Sequence, residues 1–193
     1  MQPEKISTMA RTPSNMLELG TTAPDFTLLD TVSGQERSLH DLHADRGTVV
    51  MFICNHCPYV LHVNEELVRL ANDYRTRGIA FVAISSNDVV NYPQDGPERM
   101  TEHAAKVGYP FPYLYDESQA VAKAYDAACT PDFYLFDGEQ KLVYRGQMDG
   151  ARPGSAVPAD GRDLRAALDA LLAGREIDPV QQPSLGCNIK WKN

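Results

Sequence analysis

No run of this chain is apolar for the length of a bilayer, and residues 1–20, which carry Lys5 and Arg11, hold no unbroken apolar stretch of the kind a secretory signal needs. The expectation is a cytoplasmic protein. Basic residues are in deficit, 18 Lys and Arg against 26 Asp and Glu for a net charge of −8, which removes the electrostatic footprint that phosphate backbones or anionic lipids require. Neither nucleic acid nor membrane is an expected partner. There is no serine-hydrolase elbow, no glycine loop built to cradle phosphate, and no carboxylate pair whose spacing forces an acid–base reading. No internal repeat or low-complexity tract interrupts the chain, and tryptophan occurs once, as Trp191. Cysteine is scarce too. Four cysteines in a reducing compartment are poor candidates for structural disulfides, so a close pair points to redox chemistry or to a metal.

What is present suits one domain: 193 residues, 43% hydrophobic and 23% charged. Pro24 to Leu29 reads as a short edge strand, followed by a turn at Ser33-Gly34 and an extended piece from Glu36 to Leu39, together a small hairpin ahead of the main sheet. Thr48 to Ile53 is an apolar, largely β-branched or aromatic run, the pattern of a central strand covered on both faces. From Pro58 on, Val60, Val63, Leu67, Leu70, Ala71 and Tyr74 recur at helical steps, and Gly78 stands where a C-terminal cap belongs. A second buried strand over Ile79 to Ser85 and a helix opened by Gly96-Pro97 complete a βαβα unit. After an extended piece at Tyr113 to Tyr115 and a modest helix through Val121 to Tyr125, two strands, Asp132 to Phe136 and Lys141 to Arg145, flank a hairpin turn at Asp137-Gly138. A last amphipathic helix runs from about Gly161 to Ala173, after a surface loop from Gly150 to Gly161.

The chemistry concentrates in Cys54-Asn55-His56-Cys57-Pro58, at the junction of the central strand and the long helix. A helix N-terminus offers unpaired N–H groups and a partial positive charge, which stabilise a sulfur anion and can lower a cysteine pKa from about 8.5 into the range of about 3.5 to 7.5. The expected reaction is thiol–disulfide exchange.

A cysteine pair before a helix, then a βαβ unit, then Thr130-Pro131 leading into ββα, is the layout of the thioredoxin fold. The segments Cys54-Asn55-His56-Cys57-Pro58-Tyr59-Val60, Ala128-Cys129-Thr130-Pro131-Asp132-Phe133 and Gly186-Cys187-Asn188-Ile189-Lys190-Trp191 resemble a peroxiredoxin-like group of the AhpC/TSA and thioredoxin-like superfamily, over roughly residues 20 to 193. The resemblance implies an α/β fold with a central mixed sheet flanked by helices and an N-terminal hairpin extension. It implies an arm over residues 1–20, the domain over 21–176 and a tail over 177–193 packed on it. It implies a cis bond before Pro131, with the Thr130 backbone opposite the cysteines as an open edge for an extended substrate peptide. His56 is similar to the histidine of the Cys-x-His-Cys arrangement in disulfide isomerases, which favours the thiolate and a potential above thioredoxin's.

Order of attack stays open: convention names Cys54, while the short step from the end of the strand puts Cys57 in the nucleophile position. Counting back from Cys57, Cys54 and Val50 stand where the Pro-x-x-x-Thr-x-x-Cys frame of peroxiredoxins has threonine and proline, so their peroxide-binding frame is absent. Cys129 is a candidate resolving thiol or a buried apolar residue with equal weight, and Cys187 is read as the latter. The resulting expectation is a thiol–disulfide oxidoreductase with antioxidant duty and no organic cofactor. Its catalytic residues are Cys54 and Cys57, with His56, Pro58, Thr130 and Pro131 tuning the site. A protein or small-molecule disulfide is the expected substrate, a hydroperoxide a further candidate, and an unidentified thiol the electron donor. Two alternatives remain: a copper or zinc binding or delivery protein drawing on Cys129, His56 or His62, and a non-catalytic domain holding a partner through Trp191 and the tail.

Overall fold

The computed structural model describes residues 11–193, beginning with β1 (Arg11–Pro13). A hairpin of β2 (Thr27–Asp30) and β3 (Gln35–Ser38) runs into α1 (Leu39–Leu42), whose start is fixed by a reciprocal cap between Ser38 and Asp41. Then come β4 (Thr48–Phe52), α2 (Pro58–Arg75), β5 (Ala80–Ser85), a 3-10 turn at Pro93–Asp95, α3 (Pro97–Val107), β6 (Tyr113–Tyr115) and α4 (Ala120–Ala124). The last part comprises β7 (Cys129–Thr130), β8 (Asp132–Phe136), β9 (Leu142–Gly146), α5 (Arg162–Leu172) and β10 (Leu185–Asn188).

Seven strands form the main sheet in the order β3-β2-β6-β5-β4-β8-β9. The β4–β5 and β5–β6 pairs are parallel and all others antiparallel, so the sheet is mixed. Every residue of β4 is buried because helices cover both faces. Val49 and Met51 face Leu67 and Leu70 of α2, Met100 of α3 and Leu164 and Leu168 of α5. Val50 and Phe52 face the other way, against Leu39 and Leu42 of α1, Val121 and Ala122 of α4, and Tyr125. There Phe52, Tyr125 and Tyr134 meet edge to face, with centroids 5.6 to 5.9 Å apart.

Three features depart from the expected layout. The β2–β3 hairpin does not stand ahead of the sheet but forms its edge, since β2 pairs with β6 at Leu29↔Tyr115 and Asp30↔Leu114. The junction is sealed by Asp30, buried, whose carboxylate accepts from the Tyr113 backbone N–H at 3.2 Å. Leu39, expected to end an extended piece, opens α1 because Ser38 caps a helix there. The third difference is a separate three-stranded sheet, β1-β10-β7, which sets the C-terminal tail between the residues after the N-terminus and the Thr130-Pro131 loop. The expected arm over residues 1–20 lies partly outside the described residues, and from Arg11 it is a paired strand.

Candidate active site

β4 delivers the chain into the space between α2 and the 3-10 turn, and the Ile53 N–H bonding the Ile84 carbonyl at 3.0 Å carries the pairing one residue past the strand. Cys57 is the N-cap of α2, in extended conformation, with Pro58 at the first helical position where its missing N–H costs nothing. The turn between them is held from below by Asp95, which is fully buried. Its carboxylate accepts from the Asn55 backbone N–H and from Asn87 Nδ2, each at 2.9 Å, and lies 2.7 Å from His56 Nδ1. Tyr113 Oη, itself buried, donates to Asn55 Oδ1 at 3.0 Å, and the His56 ring stacks on Tyr92 at 5.7 Å. The Cys-x-x-Cys turn is therefore seated on a rigid polar floor.

Above it stands the Thr130-Pro131 loop, with the cis peptide bond that the resemblance implies. Cys54 Sγ is 3.6 Å from Thr130 Oγ1 and 3.9 Å from His56 Nδ1. Cys57 Sγ is 3.2 Å from the Thr130 carbonyl oxygen and 2.7 Å from the sulfur of Cys187, which arrives on β10. All four cysteines are free and buried.

The sulfurs differ sharply in acidity. Cys57 is pulled down, first by the Cys187 sulfur 2.7 Å away and then by that of Cys54, against a burial that pushes it up. Cys54 moves well up, first because its thiol donates to Cys57, then through burial and the nearby charge of Asp95. Cys187 is likewise raised, first by its hydrogen bond with the Cys57 sulfur and then by burial. The most acidic of the three sulfurs is thus the one at the helix N-terminus. Replacing Asp95 by asparagine removes a charge that raises Cys54. Ultraviolet titration of thiolate absorbance in a Cys57→Ser, Cys187→Ser background is expected to show Cys54 titrating at lower pH in the Asp95→Asn form, and an unmoved curve would mean that Asp95 does not act on it.

Residues 19–145 match the AhpC/TSA family. The chain belongs to that family. Thiol-disulfide oxidoreductase ResA of Geobacillus kaustophilus (strain HTA426) is 29% identical over 142 residues, 71% of this chain and 75% of the relative. The solved structure of an uncharacterized conserved protein from Geobacillus kaustophilus superposes with a TM-score of 0.94 at 59% identity, covering 95% of this chain and 97% of the other. A putative thiol:disulfide interchange protein DsbE from Chlorobium tepidum superposes with a TM-score of 0.64 at 22% identity, over 81% of this chain and 99% of the other, and shares the thioredoxin-like fold. This AhpC/TSA chain thus has a thioredoxin-like α/β fold in a family that includes thiol–disulfide oxidoreductases.

Within this family member the tertiary structure gathers Cys54, Cys57, His56, Thr130 and Pro131, while Pro58 is exposed and contributes only the helix start. Cys129 is not gathered with them. Its sulfur lies 3.8 Å from the Pro131 carbonyl, on the side of the strand occupied by the buried Asp132, because successive residues of β7 point to opposite faces. Burial pushes its thiol well up, which suits a packed residue rather than a resolving thiol. The expected open edge at Thr130 is taken: β10 pairs there, Cys187 opposite Thr130. His62 is exposed on α2. Two residues escaped the sequence reading, Asp95 and Cys187. Asp95 sits in a loop with no periodicity to mark it, and Cys187 carried only its identity as a fourth cysteine.

Proposed function

We propose that the protein is a thiol–disulfide oxidoreductase in which Cys57 is the attacking sulfur and Cys54 the other member of the redox pair. The observation that carries this is the placement of Cys57 as the N-cap of α2, where the unpaired N–H groups of the helix start, that of Val60 among them, favour a sulfur anion and lower its pKa. Of the two orders of attack, this supports Cys57, the one that the short step from the strand also favours. Its thiolate opens an outside disulfide to give a mixed disulfide, and a neighbouring thiol then attacks the Cys57 sulfur and frees the substrate as a thiol. A reduced state stabilised in this way makes the disulfide a strong oxidant, so the potential lies above thioredoxin's, about −270 mV. Protein disulfides are the natural substrates, a dithiol supplies or takes the electrons, and the cytoplasm is the site of action. The missing peroxide-binding frame argues against efficient hydroperoxide reduction, although an exposed state of the thiolate would still oxidise to the sulfenic acid.

Alkylation mass spectrometry across a glutathione redox series tests this. The expected result is a two-electron transition between about −270 and −120 mV, lost completely in Cys57→Ser. A Cys57→Ser protein that keeps the transition would overturn the assignment. Metal binding is the second reading, favoured by one cluster: donor atoms of Cys54, His56 and Asp95 all lie within 4.8 Å of one another. Against it, the Asp95 carboxylate already accepts from the Asn55 N–H and Asn87 Nδ2 and lies 2.7 Å from His56 Nδ1, an arrangement that accounts for all three groups with protein partners alone. Stoichiometric zinc or copper retained through purification, without a redox transition, would favour this reading instead.

A further inference from the structure

Cys187 belongs to no element of the expected redox site, yet its sulfur lies 2.7 Å from that of Cys57, against about 2.05 Å in a formed disulfide. The contact is not a chance of side-chain packing. β10 is hydrogen-bonded on both edges, to β1 through Arg11↔Cys187 and to β7 through Cys187↔Thr130 and Asn188↔Cys129. It lies flat on the Thr130-Pro131 loop, so close that a Cβ on Gly186 would overlap the Thr130 carbonyl. Ser184 is tied at its N–H to Ser14 Oγ, 2.8 Å, and at its hydroxyl to the Gly146 carbonyl, 2.6 Å. On the far side Ile189, buried, bonds the Ala128 carbonyl at 3.1 Å, and the Lys190 N–H bonds Asn87 Oδ1 at 2.8 Å. Asn87 is the same side chain that supports Asp95. The tail strand is thus aligned on the floor that holds the Cys54–Cys57 turn.

An extended segment, added as a strand beside the attacking sulfur and presenting its own sulfur to it, is the geometry of a peptide disulfide being exchanged. Here the segment belongs to the chain itself. We propose that Cys187 is a resolving thiol of this enzyme, forming an internal Cys57–Cys187 disulfide while β10 occupies the strand position of a substrate. This deepens the thiol–disulfide reading above and rests on it. With β10 lifted from Thr130, the Cys57 thiolate attacks one sulfur of an outside disulfide, the bond between its two sulfurs breaks, and one half leaves as a thiolate that takes a proton. Cys187 gives up its proton and attacks the Cys57 sulfur, the mixed disulfide breaks, and the second half leaves as a thiol. Two electrons pass from Cys57 and Cys187 to the outside disulfide, which is reduced to two thiols. Cys54 then attacks Cys57 in turn, moving the disulfide to Cys54–Cys57 and releasing Cys187 without net electron flow. Held at 2.7 Å, Cys187 attacks as an intramolecular nucleophile at a high effective concentration.

The experiment is oxidation of the reduced full chain and of Cys54→Ser, Cys187→Ser and Cys57→Ser variants with diamide, followed by thiol blocking and peptide mapping under non-reducing conditions, with circular dichroism to check folding. Cys54→Ser is expected to give the Cys57–Cys187 linkage as its main product, reversed by dithiothreitol. Cys187→Ser gives only Cys54–Cys57, and Cys57→Ser gives neither. A folded Cys54→Ser protein that keeps Cys57 and Cys187 blocked as free thiols, alongside a wild type that forms Cys54–Cys57, would overturn the role of Cys187 and leave the redox pair standing. Should Cys54→Ser fail to fold, the wild type decides: a Cys57–Cys187 linkage among its products at early times supports the inference, and Cys54–Cys57 alone at all times overturns it. No disulfide through Cys57 in any form would overturn the thiol–disulfide reading itself.

Discussion

Gly186→Ala is expected to unseat the C-terminal strand. A Cβ at this position would overlap the Thr130 carbonyl, with the rest of that peptide and the Pro131 nitrogen close behind. None of these is the end of a flexible side chain, so the strain falls on backbone that β7 and β8 hold on either side of Pro131. Overpacking costs about 1 to 3 kcal/mol, and a rigid neighbour places this case near the upper end. The structure has one cheap way to relieve it, which is to move β10 off the loop. The strand carries Cys187 with it, Cys57 loses its nearest hydrogen-bond donor, and its thiol becomes a weaker acid. The variant should therefore melt earlier, and at pH 9, where the thiol is ionised with or without the strand, its Cys57 should be alkylated faster because the covering strand is gone. A variant with unchanged melting and unchanged alkylation would mean that β10 does not rest on Thr130 in solution.

Asp132→Asn is expected to gain stability over the wild type as the pH rises from about 4 to about 7. The Asp132 carboxyl lies in the sheet interior with no exposure, and burial pushes its pKa up to about 7, despite the hydrogen bonds it accepts from Ser14 and Tyr134 hydroxyls at 2.8 and 3.0 Å. Unfolded, the same group titrates near 3.9. Between these values the folded chain binds the proton that the unfolded chain has lost, so stability decreases with rising pH. The contribution is fully present below about pH 4 and gone above about 7, and the distance between the two values corresponds to an upper bound of about 4 kcal/mol. An asparagine in its place cannot ionise, so denaturant unfolding of wild type and Asp132→Asn at several pH values isolates the effect. The difference between the two should widen in favour of the variant as pH rises from 4 to 7. Parallel profiles would show that Asp132 is ionised in the folded state over the whole range. The consequence reaches the site, because Ser14 joins Asp132 to Ser184, just ahead of β10.

The order of the main elements was legible because each is a local pattern with its own period. The run from Thr48 to Ile53 needs two covered faces whatever surrounds it, and the residues from Val60 to Tyr74 make one apolar stripe only on a helix. Cys54 and Cys57 were legible for the same reason, close neighbours at a strand-to-helix junction. Asp95 and Cys187 were not, and neither was the pairing that brings β10 to Thr130. Asp95 reaches the turn at Asn55 from 40 positions away, and Cys187 reaches Cys57 from 130. Contacts at such separations leave no periodic trace in a single sequence, since any buried carboxylate or any fourth cysteine would read the same. β7 and β10 are two and four residues long, too short for an alternating pattern to declare a strand. The sequence by itself therefore determined the kind of fold and where the cysteine pair stands in it, both of which follow from near-neighbour chemistry. Which thiol faces Cys57, and which groups bear on its acidity, was decided only by the tertiary structure, because both depend on groups that the folded chain brings within a few ångströms.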